Sequence, residues 1–389
     1  MDLGKRITIG LLFVFIVGVG IFTVGKEIAG IKDIRIAGVE VREEFPRISL
    51  KSFWAGEFQT RLDKWVATTL GLRGGFIRID NQINFTFFNE ISSTYESKII
   101  LGKDRWLYEK GYVDGLNYRG EMPQKLLEDK VQTLKKLQEQ LESNGIHFLF
   151  LITPSKATIY PEYIKDKYII PQNSGKKSDY ERIVPLLQQS GVRYIDGHQS
   201  LSAMKKRGPY PVYTPSGTHW SIYSACYFTL ELISALEDLT KEQMRKFQVD
   251  RIDTTRQPIG SDKDLAKLAN ILFEKCLYGK QYYYPVTSSS VNVENAFKPR
   301  MLFVGGSYLW ALFYYMEKHR VYSEREFYYY YKRSIKYPAQ TSHPIDKKNL
   351  DLKGEILTKD VVVIECNEQT LSQLGFGFIE DALKALGEN

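Results

Sequence analysis

Cysteine and histidine are both scarce in this chain of 389 residues, which has three of the first and five of the second. The three cysteines, Cys226, Cys276 and Cys366, lie far apart and form no Cys-x-x-Cys pair. They therefore exclude a disulfide framework and a zinc site of the usual ligand spacing. The histidines are scattered without metal-ligand spacing, so the sequence predicts neither a metal nor a cofactor.

Several motifs of common enzyme classes are also missing. The chain has no P-loop, no Gly-x-Gly-x-x-Gly and no His-Glu-x-x-His pattern, which leaves nucleotide, nicotinamide and zinc-protease chemistry without support. Gly-x-Ser-x-Gly is absent too, which disfavours an ordinary α/β-hydrolase. A net charge of +7, without any block of five like charges, is too small and diffuse to predict nucleic-acid binding.

One long apolar segment is present, and it lies at the N-terminus. Residues 7–25 have no charge, and as a helix they would reach about 28 Å, close to the thickness of the bilayer core. Lys5 and Arg6 precede them, so the positive-inside tendency places residues 1–6 in the cytoplasm and the bulk of the chain on the periplasmic or extracellular side. We expect an uncleaved transmembrane signal anchor. A cleaved signal peptide is the alternative, although Thr23 to Lys26 is a poor cleavage site.

The rest of the chain divides into two parts. Residues 26–97 are mixed helical and irregular, and apolar residues at three- and four-residue spacing from Phe53 to Val66 predict an amphipathic helix. We expect this juxtamembrane region to pack on the main domain; a face lying on the membrane is the alternative. Residues 98–389 would form the main domain.

Helices alternate with short apolar segments in the main domain. Four of these segments have the pattern of buried strands: residues 147–152, 192–195, 301–304 and 360–364. The alternation predicts a three-layer α/β fold with a mostly parallel sheet. In such sheets, functional sites lie beyond the carboxyl ends of the strands.

One candidate site follows the strand at 301–304. There the sequence LFVGGSY runs from a strand into Gly305, Gly306 and Ser307, and then into a helical stretch from Tyr308. A serine at such a turn is exposed, the glycines admit a substrate, and the helix N-terminus offers N–H groups to an oxyanion. Ser307 is therefore a candidate nucleophile, and a plain helix N-cap is the alternative.

The second candidate is His219, in the turn-rich segment YTPSGTHWS at 213–221. It follows a Pro-Ser-Gly turn and precedes a predicted helix from Ser221 to about Leu236. Its ring can therefore project into a cleft and take the proton of a serine hydroxyl. A capping or packing histidine is the alternative.

A third candidate is Lys156, which follows the strand at 147–152 and would lie at its carboxyl end. There it could bind the carboxylate or phosphate of a substrate. A solvated loop lysine is the alternative.

Five segments form an ordered set: LGKDRWLY at 101–108, TPSK at 153–156 with YP at 160–161, GTHW at 217–220, VGGSY at 304–308 and VVVIE at 361–365. Together they resemble the SGNH-hydrolase-like polysaccharide O-acetyltransferases of the alginate acetylation (AlgJ/AlgX) type. The resemblance covers about residues 40–389. It implies an SGNH-like three-layer sandwich with a mostly parallel sheet, preceded here by one N-terminal transmembrane helix.

Members of that family use an Asp-x-His-Trp motif, upstream of the serine, for the base and its orienting acid. The resemblance implies His219 as the general base, Ser307 as the nucleophile and the peptide N–H of Ser307 as one oxyanion donor. Gly306 and Trp220, which flank these two residues, become candidate oxyanion or substrate-binding residues with Lys156.

The sequence departs from the family at Gly217, which occupies the aspartate position two residues before His219. Glycine cannot hold the imidazole tautomer, and loss of such an acid has elsewhere cost about 10⁴ in turnover. Three interpretations are open: another carboxylate reaches His219 in space, a Ser–His dyad suffices, or the domain only binds polymer. Candidates for the carboxylate are Asp196, Asp262 and Glu365.

The resemblance implies an O-acetyltransferase that acts on an extracellular or cell-envelope polysaccharide through an acetyl-enzyme. Because acetyl-coenzyme A is cytoplasmic, it also implies a multi-pass membrane-bound O-acyltransferase as the partner that supplies acetyl. A carbohydrate acetyl esterase and a catalytically inactive polysaccharide-binding or scaffold subunit are the alternatives.

Overall fold

The computed structural model describes residues 2–31, 34–38, 43–91, 99–118, 120–171 and 175–387. The α-helices are α1 (Leu3–Ile28), α2 (Leu50–Trp54), α3 (Glu57–Thr69), α4 (Arg73–Ile83), α5 (Lys110–Asn117), α6 (Gln124–Ser143), α7 (Lys156–Ile159), α8 (Asp179–Ser190), α9 (Gly197–Arg207), α10 (Ile222–Thr240), α11 (Asp264–Leu268), α12 (Leu309–Lys318), α13 (Leu352–Leu357) and α14 (Phe378–Leu386). The strands are β1 (Ile99–Leu101), β2 (Leu107–Glu109), β3 (His147–Thr153), β4 (Tyr194–Asp196), β5 (Lys246–Ile252), β6 (Val286–Val291), β7 (Arg300–Gly305), β8 (Glu324–Tyr329), β9 (Arg333–Tyr337), β10 (Thr341–Pro344) and β11 (Val361–Asn367).

The chain divides into two compact units. One comprises Met1–Ile99 with Ala266–Cys276, and the other comprises Ile100–Leu265 with Leu277–Asn389. The domain boundary predicted at 97/98 falls in residues 92–98, outside the described residues. The packing of residues 26–97 on the main domain stays a prediction.

The N-terminal unit begins with the apolar helix that the sequence predicts. Helix α1 contains all of residues 7–25, and its Leu3–Thr23 stretch is long and apolar enough to cross a membrane. This stretch fits either a membrane anchor or a signal sequence. The single amphipathic helix predicted from Phe53 to Val66 is wrong: α2 and α3 replace it, because Gly56 adopts a left-handed φ of 76° between them.

The larger unit is built on a seven-stranded sheet in the order β10-β9-β8-β7-β11-β3-β4. Strands β4, β3, β11, β7 and β8 pair in parallel, and β9 and β10 extend the sheet as antiparallel strands. The four strands predicted from apolar runs are all present as β3, β4, β7 and β11. The structure extends β11 to Asn367, three residues beyond its predicted end, because Glu365, Cys366 and Asn367 continue to pair with β3.

Both faces of the central strands are buried, as the apolar runs predict. In β3, Leu149 and Leu151 face a core that includes side chains of α10 and α12, whereas Phe148 and Phe150 face a second core that includes side chains of α6, α8 and α14. Full burial of each such side chain contributes about 1.5–3 kcal/mol. The three-layer α/β fold with a mostly parallel sheet is confirmed.

This topology fixes where a site can form. Because β3, β4, β7 and β11 are parallel, their carboxyl ends meet at one edge of the sheet. Strand β7 ends there at Gly305, only two positions before Ser307.

Candidate active site

Ser307 lies in the turn between β7 and α12. Gly305 is needed at the strand end, because a Cβ atom there would lie 2.6 Å from Oε2 of Glu365. Tyr308 occupies the N-cap of α12, and the helix has no side-chain cap. The alternative of Ser307 as a plain N-cap is therefore wrong, and its hydroxyl contacts His219 instead.

His219 lies in a loop that two other parts of the unit hold in place. Tyr213 and Trp220 form an isolated antiparallel bridge across the base of this loop. The Tyr308 hydroxyl donates to the carbonyl oxygen of Thr218 at 3.2 Å, and its ring lies edge-on to the His219 ring at 4.8 Å. The residue after the candidate nucleophile thus packs against the candidate base.

Three side chains form a continuous series of hydrogen bonds. His219 Nε2 lies 2.7 Å from Ser307 Oγ, and His219 Nδ1 lies 2.5 Å from Oδ2 of Asp264. A carboxylate can only accept, so Nδ1 carries the proton and Nε2 is left to accept from the serine hydroxyl. This is the arrangement of a nucleophile, a general base and an orienting acid.

The carboxylate that contacts His219 belongs to a residue that the sequence did not reveal. Oδ1 of Asp264 accepts from the backbone N–H groups of Thr218 and Leu265, both at 2.7 Å, which fixes the carboxylate beside the His219 loop. Asp264 is 45 positions from His219 and begins the five-residue helix α11. No local motif marks it, so only the folded chain could identify it.

The three carboxylates considered from sequence serve other groups. Asp196 caps α9 by accepting from the N–H of Gln199, Oδ1 of Asp262 accepts from the N–H of Ile222, and Oε2 of Glu365 accepts from the N–H of Gly306. Burial raises the pKa of Asp262 to about 7, and the charge of Asp264 adds to this rise.

The structure also explains why residue 217, two positions before His219, is a glycine. A Cβ atom on Gly217 would lie 2.4 Å from the carbonyl oxygen of Ser261 and 3.0 Å from Thr214 Oγ1. The segment that leads to Asp264 therefore occupies the space that a side chain at 217 would need. A glycine at 217 therefore leaves room for the backbone that carries Asp264 to His219.

The electrostatic surroundings favour a positive charge on His219. Burial by itself lowers the pKa of His219, but the hydrogen bond and charge of Asp264, with the charges of Glu109 and Glu365, raise it above its ordinary value overall. Burial raises the pKa of Glu109 and of Glu365. An imidazolium formed when Nε2 takes a proton would be stabilised here.

A protein-family model matches the part of the chain that contains these three residues. The family described as "SGNH hydrolase-like domain, acetyltransferase AlgX" matches residues 99–311, more than half of the chain. The chain belongs to this family. The matched residues of this AlgX-family acetyltransferase domain include Ser307, His219 and Asp264.

Curated relatives carry a related name. The probable alginate O-acetylase AlgJ of Pseudomonas syringae pv. tomato is 27% identical over 140 residues, and that of Pseudomonas aeruginosa is 24% identical over 139 residues. Each match covers 36% of this chain and 32% of the relative. The chain thus matches about a third of the length of these two relatives.

Two solved structures are similar to this AlgX-family chain. The O-acetyltransferase domain of Pseudomonas putida AlgJ is 18% identical with a TM-score of 0.44, and the match covers 74% of this chain and 99% of that one. Pseudomonas aeruginosa AlgX is 11% identical with a TM-score of 0.43, over 73% of this chain and 67% of that one.

Lys156 does not bind substrate in this AlgX-family site, so that prediction is wrong. Its side chain is buried, and its ammonium group donates to the carbonyl oxygens of Leu107, Pro215 and Gly217 at 2.7, 2.9 and 2.7 Å. All three N–H groups are thereby used. Burial lowers the pKa of Lys156, and its role is to hold the loop that precedes His219.

Two further predictions also need correction. Trp220 is fully buried, with its ring 4.9 Å from that of Phe228 and 5.4 Å from that of Tyr308, so it packs the His219 loop and cannot contact a substrate. The N–H of Gly306 donates to Glu365 at 2.6 Å, so this amide is not available to an oxyanion in this arrangement.

Proposed function

We propose that this chain is an O-acetyltransferase that modifies an extracellular or cell-envelope polysaccharide through an acetyl group carried on Ser307. The observation on which the proposal rests is the hydrogen-bonded series from Ser307 through His219 to Asp264, in a member of an acetyltransferase family. The names of the curated relatives, both alginate O-acetylases, support a polysaccharide as the acceptor.

In the first step, Ser307 Oγ attacks the carbonyl carbon of an acetyl donor while His219 Nε2 takes the hydroxyl proton. Asp264 stabilises the imidazolium that forms, and the N–H of Ser307 is the proposed donor to the oxyanion. The bond to the donor's leaving group breaks, and His219 returns the proton to that group. The product of this step is an acetyl ester on Ser307.

In the second step, a hydroxyl of the sugar replaces the leaving group. His219 Nε2 takes the hydroxyl proton as the sugar oxygen attacks the acetyl carbon, and the proton then returns to Ser307 Oγ as the ester bond breaks. The acetylated sugar leaves and the serine is restored. Water in place of the sugar would make the same site an esterase.

The apolar N-terminal helix supports a location at the membrane, with the bulk of the chain on the periplasmic or extracellular side. Because acetyl-coenzyme A is cytoplasmic, acetyl must then reach Ser307 across the membrane. We propose a multi-pass membrane-bound O-acyltransferase as the donor partner.

The test compares the wild type with Ser307→Ala and His219→Ala. In cells, both variants should abolish acetylation of the polymer, and an unchanged acetyl content would instead support an inactive scaffold. With the purified chain, a small acetyl ester should load one acetyl group onto Ser307, as measured by mass spectrometry of the peptide. Acetylated oligosaccharide as the product supports the transferase, whereas free acetate alone supports the esterase.

A further inference from the structure

Helix α4 of the N-terminal unit has its polar side against the protein. Asn81 is only 5% exposed, and its side-chain amide donates to the carbonyl oxygen of Ala269 at 2.9 Å. Arg78, three positions earlier and so on the same side of the helix, donates to the carbonyl oxygens of Ile271 and Arg35 at 3.1 and 3.0 Å. The polar side of α4 is therefore bonded to the backbone of its own unit.

The opposite side of α4 is apolar and faces outward. Phe76, Ile79 and Ile83 follow one another at three- and four-residue spacing, which places them on one face of the helix. Ile79 and Ile83 each lie two positions from Asn81, which is about 160° around the helix. They are 44% and 46% exposed. A helix of a water-soluble domain has the reverse arrangement, with its apolar stripe toward the core.

Large apolar side chains are also exposed just beyond α4 and beside it. One π-helical turn, Asn84–Phe88, follows the helix, and Phe87 and Phe88 in it are 76% and 66% exposed. Phe273 is 65% exposed and lies beside α4, because its N–H donates to Oε1 of Gln82 at 3.1 Å. Exposed apolar side chains this close together mark a site of interaction. We call the following set the α4 patch: Ile79, Ile83, Phe87, Phe88 and Phe273.

The contacts of α4 with α1 indicate what surrounds this patch. The N–H of Gly71, two residues before α4, donates to Thr23 Oγ1 at 2.8 Å. Farther along α4, the Phe76 ring lies edge-on to the Phe15 ring at 5.9 Å. Thr23 and Phe15 are eight residues apart, hence about 12 Å along α1. Both belong to Leu3–Thr23, the stretch that is long and apolar enough to cross a membrane.

The depth that these contacts imply is that of the outer leaflet. Thr23 lies at the outer end of the apolar stretch in the orientation proposed above, and 12 Å from it is less than half of the bilayer core of about 30 Å. The polar groups of α4 suit this position, because Arg78 and Asn81 have carbonyl partners inside the unit. Asp80 borders the patch and accepts from the Asn84 side chain at 3.2 Å, and a carboxylate is tolerated near the headgroups but not at the bilayer centre.

We propose that the α4 patch lies in the outer leaflet of the membrane, in contact with lipid acyl chains. The N-terminal unit is then attached to the membrane by two elements, α1 across the bilayer and the α4 patch at its outer boundary. A single helix leaves such a unit free to rotate about the helix axis, whereas a second attachment fixes this rotation. The proposal rests on the membrane location proposed above and not on acetyl transfer.

The test measures which positions of the full-length chain contact lipid. The purified chain is reconstituted in vesicles of phosphatidylcholine and phosphatidylglycerol, with a polarity-sensitive fluorophore on one introduced cysteine. Cys276→Ser removes the native thiol that is partly exposed, and the other two native cysteines are buried. Ile83→Cys and Phe273→Cys carry the label in the patch. Leu11→Cys reports on α1, and Lys353→Cys, at an exposed position of the larger unit, is the control in water.

The same variants are compared in vesicles whose lipids carry bromine on their acyl chains, because bromine quenches a fluorophore only at close range. The labels at Ile83 and Phe273 should lose most of their fluorescence there, as the label at Leu11 does. The label at Lys353 should be unchanged. Patch labels that keep their fluorescence while the Leu11 label is quenched would overturn the proposal and leave α1 as the membrane anchor.

Further outcomes keep this proposal separate from the others. A Leu11 label that is not quenched would overturn both the α4 proposal and the membrane location. The vesicles contain no second protein, so quenching of the patch labels reports contact with lipid and not with a partner chain. Circular dichroism checks the fold of each variant, and the labels at Ile83 and Phe273 lie in different segments, so either one can decide the question.

Acetyl transfer is tested independently in the same vesicles. Loading of Ser307 by a small acetyl ester is measured on the wild type, which carries no label. A chain whose patch labels are quenched but which never forms acetyl-Ser307 refutes the proposed catalytic function and leaves the α4 proposal standing. A chain that loads acetyl but whose patch labels stay in water refutes the α4 proposal alone.

Discussion

Asp264→Asn changes the candidate site by one atom and tests how the three side chains act together. Oδ1 of the new amide can still accept from the N–H groups of Thr218 and Leu265, as the carboxylate does at 2.7 Å. The NH₂ group then lies where Oδ2 lies, 2.5 Å from His219 Nδ1. Because NH₂ donates, Nδ1 must become the acceptor and the ring proton moves to Nε2.

A protonated Nε2 cannot take the proton of Ser307, which lies 2.7 Å away. The equivalent change in a serine protease lowers turnover by about 10⁴ with the geometry intact. We expect a similar loss here, which corresponds to about 5.5 kcal/mol of transition-state stabilisation at about 1.36 kcal/mol per tenfold. The assay is the rate at which a small chromogenic acetyl ester loads the purified chain, with Ser307→Ala as the background.

Asp262→Asn is the matched control in the same segment. Burial raises the pKa of Asp262 to about 7, so near neutral pH a large fraction of this carboxyl is already uncharged, and an amide can replace it. Its Oδ1 can still accept from Ile222. This variant should load acetyl within a few-fold of the wild-type rate. An Asp264→Asn rate as high as that of the control would refute the assignment of Asp264 as the orienting acid.

Three further outcomes follow from the same geometry. The rate of acetyl loading should rise with pH around a midpoint above 6.5, because the pKa of His219 is raised and Nε2 accepts a proton only when the ring is neutral. A rate–pH profile with its midpoint at or below 6.5 would contradict this. Gly217→Ala should lower the free energy of unfolding by about 1–3 kcal/mol in a urea titration and slow acetyl loading, because its Cβ meets the Ser261 carbonyl oxygen at 2.4 Å. Lys156→Met should cost about 3 kcal/mol or more, because three buried carbonyls each lose a donor, and an unfolding midpoint equal to that of the wild type would show that these hydrogen bonds stabilise nothing.

The sequence located the candidate nucleophile because its environment is local. A strand, two glycines, a serine and a helix follow one another within about ten residues, and β7, Ser307 and α12 reproduce that order. The apolar runs predicted β3, β4, β7 and β11 for a similar reason, since burial on both faces removes polar residues from a strand. The apolar part of α1, residues 7–25, could also be predicted, because an uncharged run of that length is recognised without knowledge of any tertiary contact.

Other conclusions drawn from the sequence failed where burial decides the role. Lys156 follows a strand at the functional edge of the sheet, but its ammonium group is enclosed by carbonyls from positions 107, 215 and 217. Trp220 adjoins the candidate base, but its ring faces the core. The orientation of neither side chain can be predicted from its neighbours in the sequence, because distant parts of the chain form its surroundings.

By itself, then, the sequence determined the apolar N-terminal helix and the alternation that produces a mostly parallel α/β sheet. It also identified Ser307 and His219 as candidate site residues. Only the tertiary structure decided that Asp264 completes the series and that Gly217 leaves room for the segment that carries it. The physical reason is range. Hydrophobic periodicity and turn geometry act within a few residues, whereas the contacts of His219 with Asp264 and Ser307 join positions 45 and 88 apart.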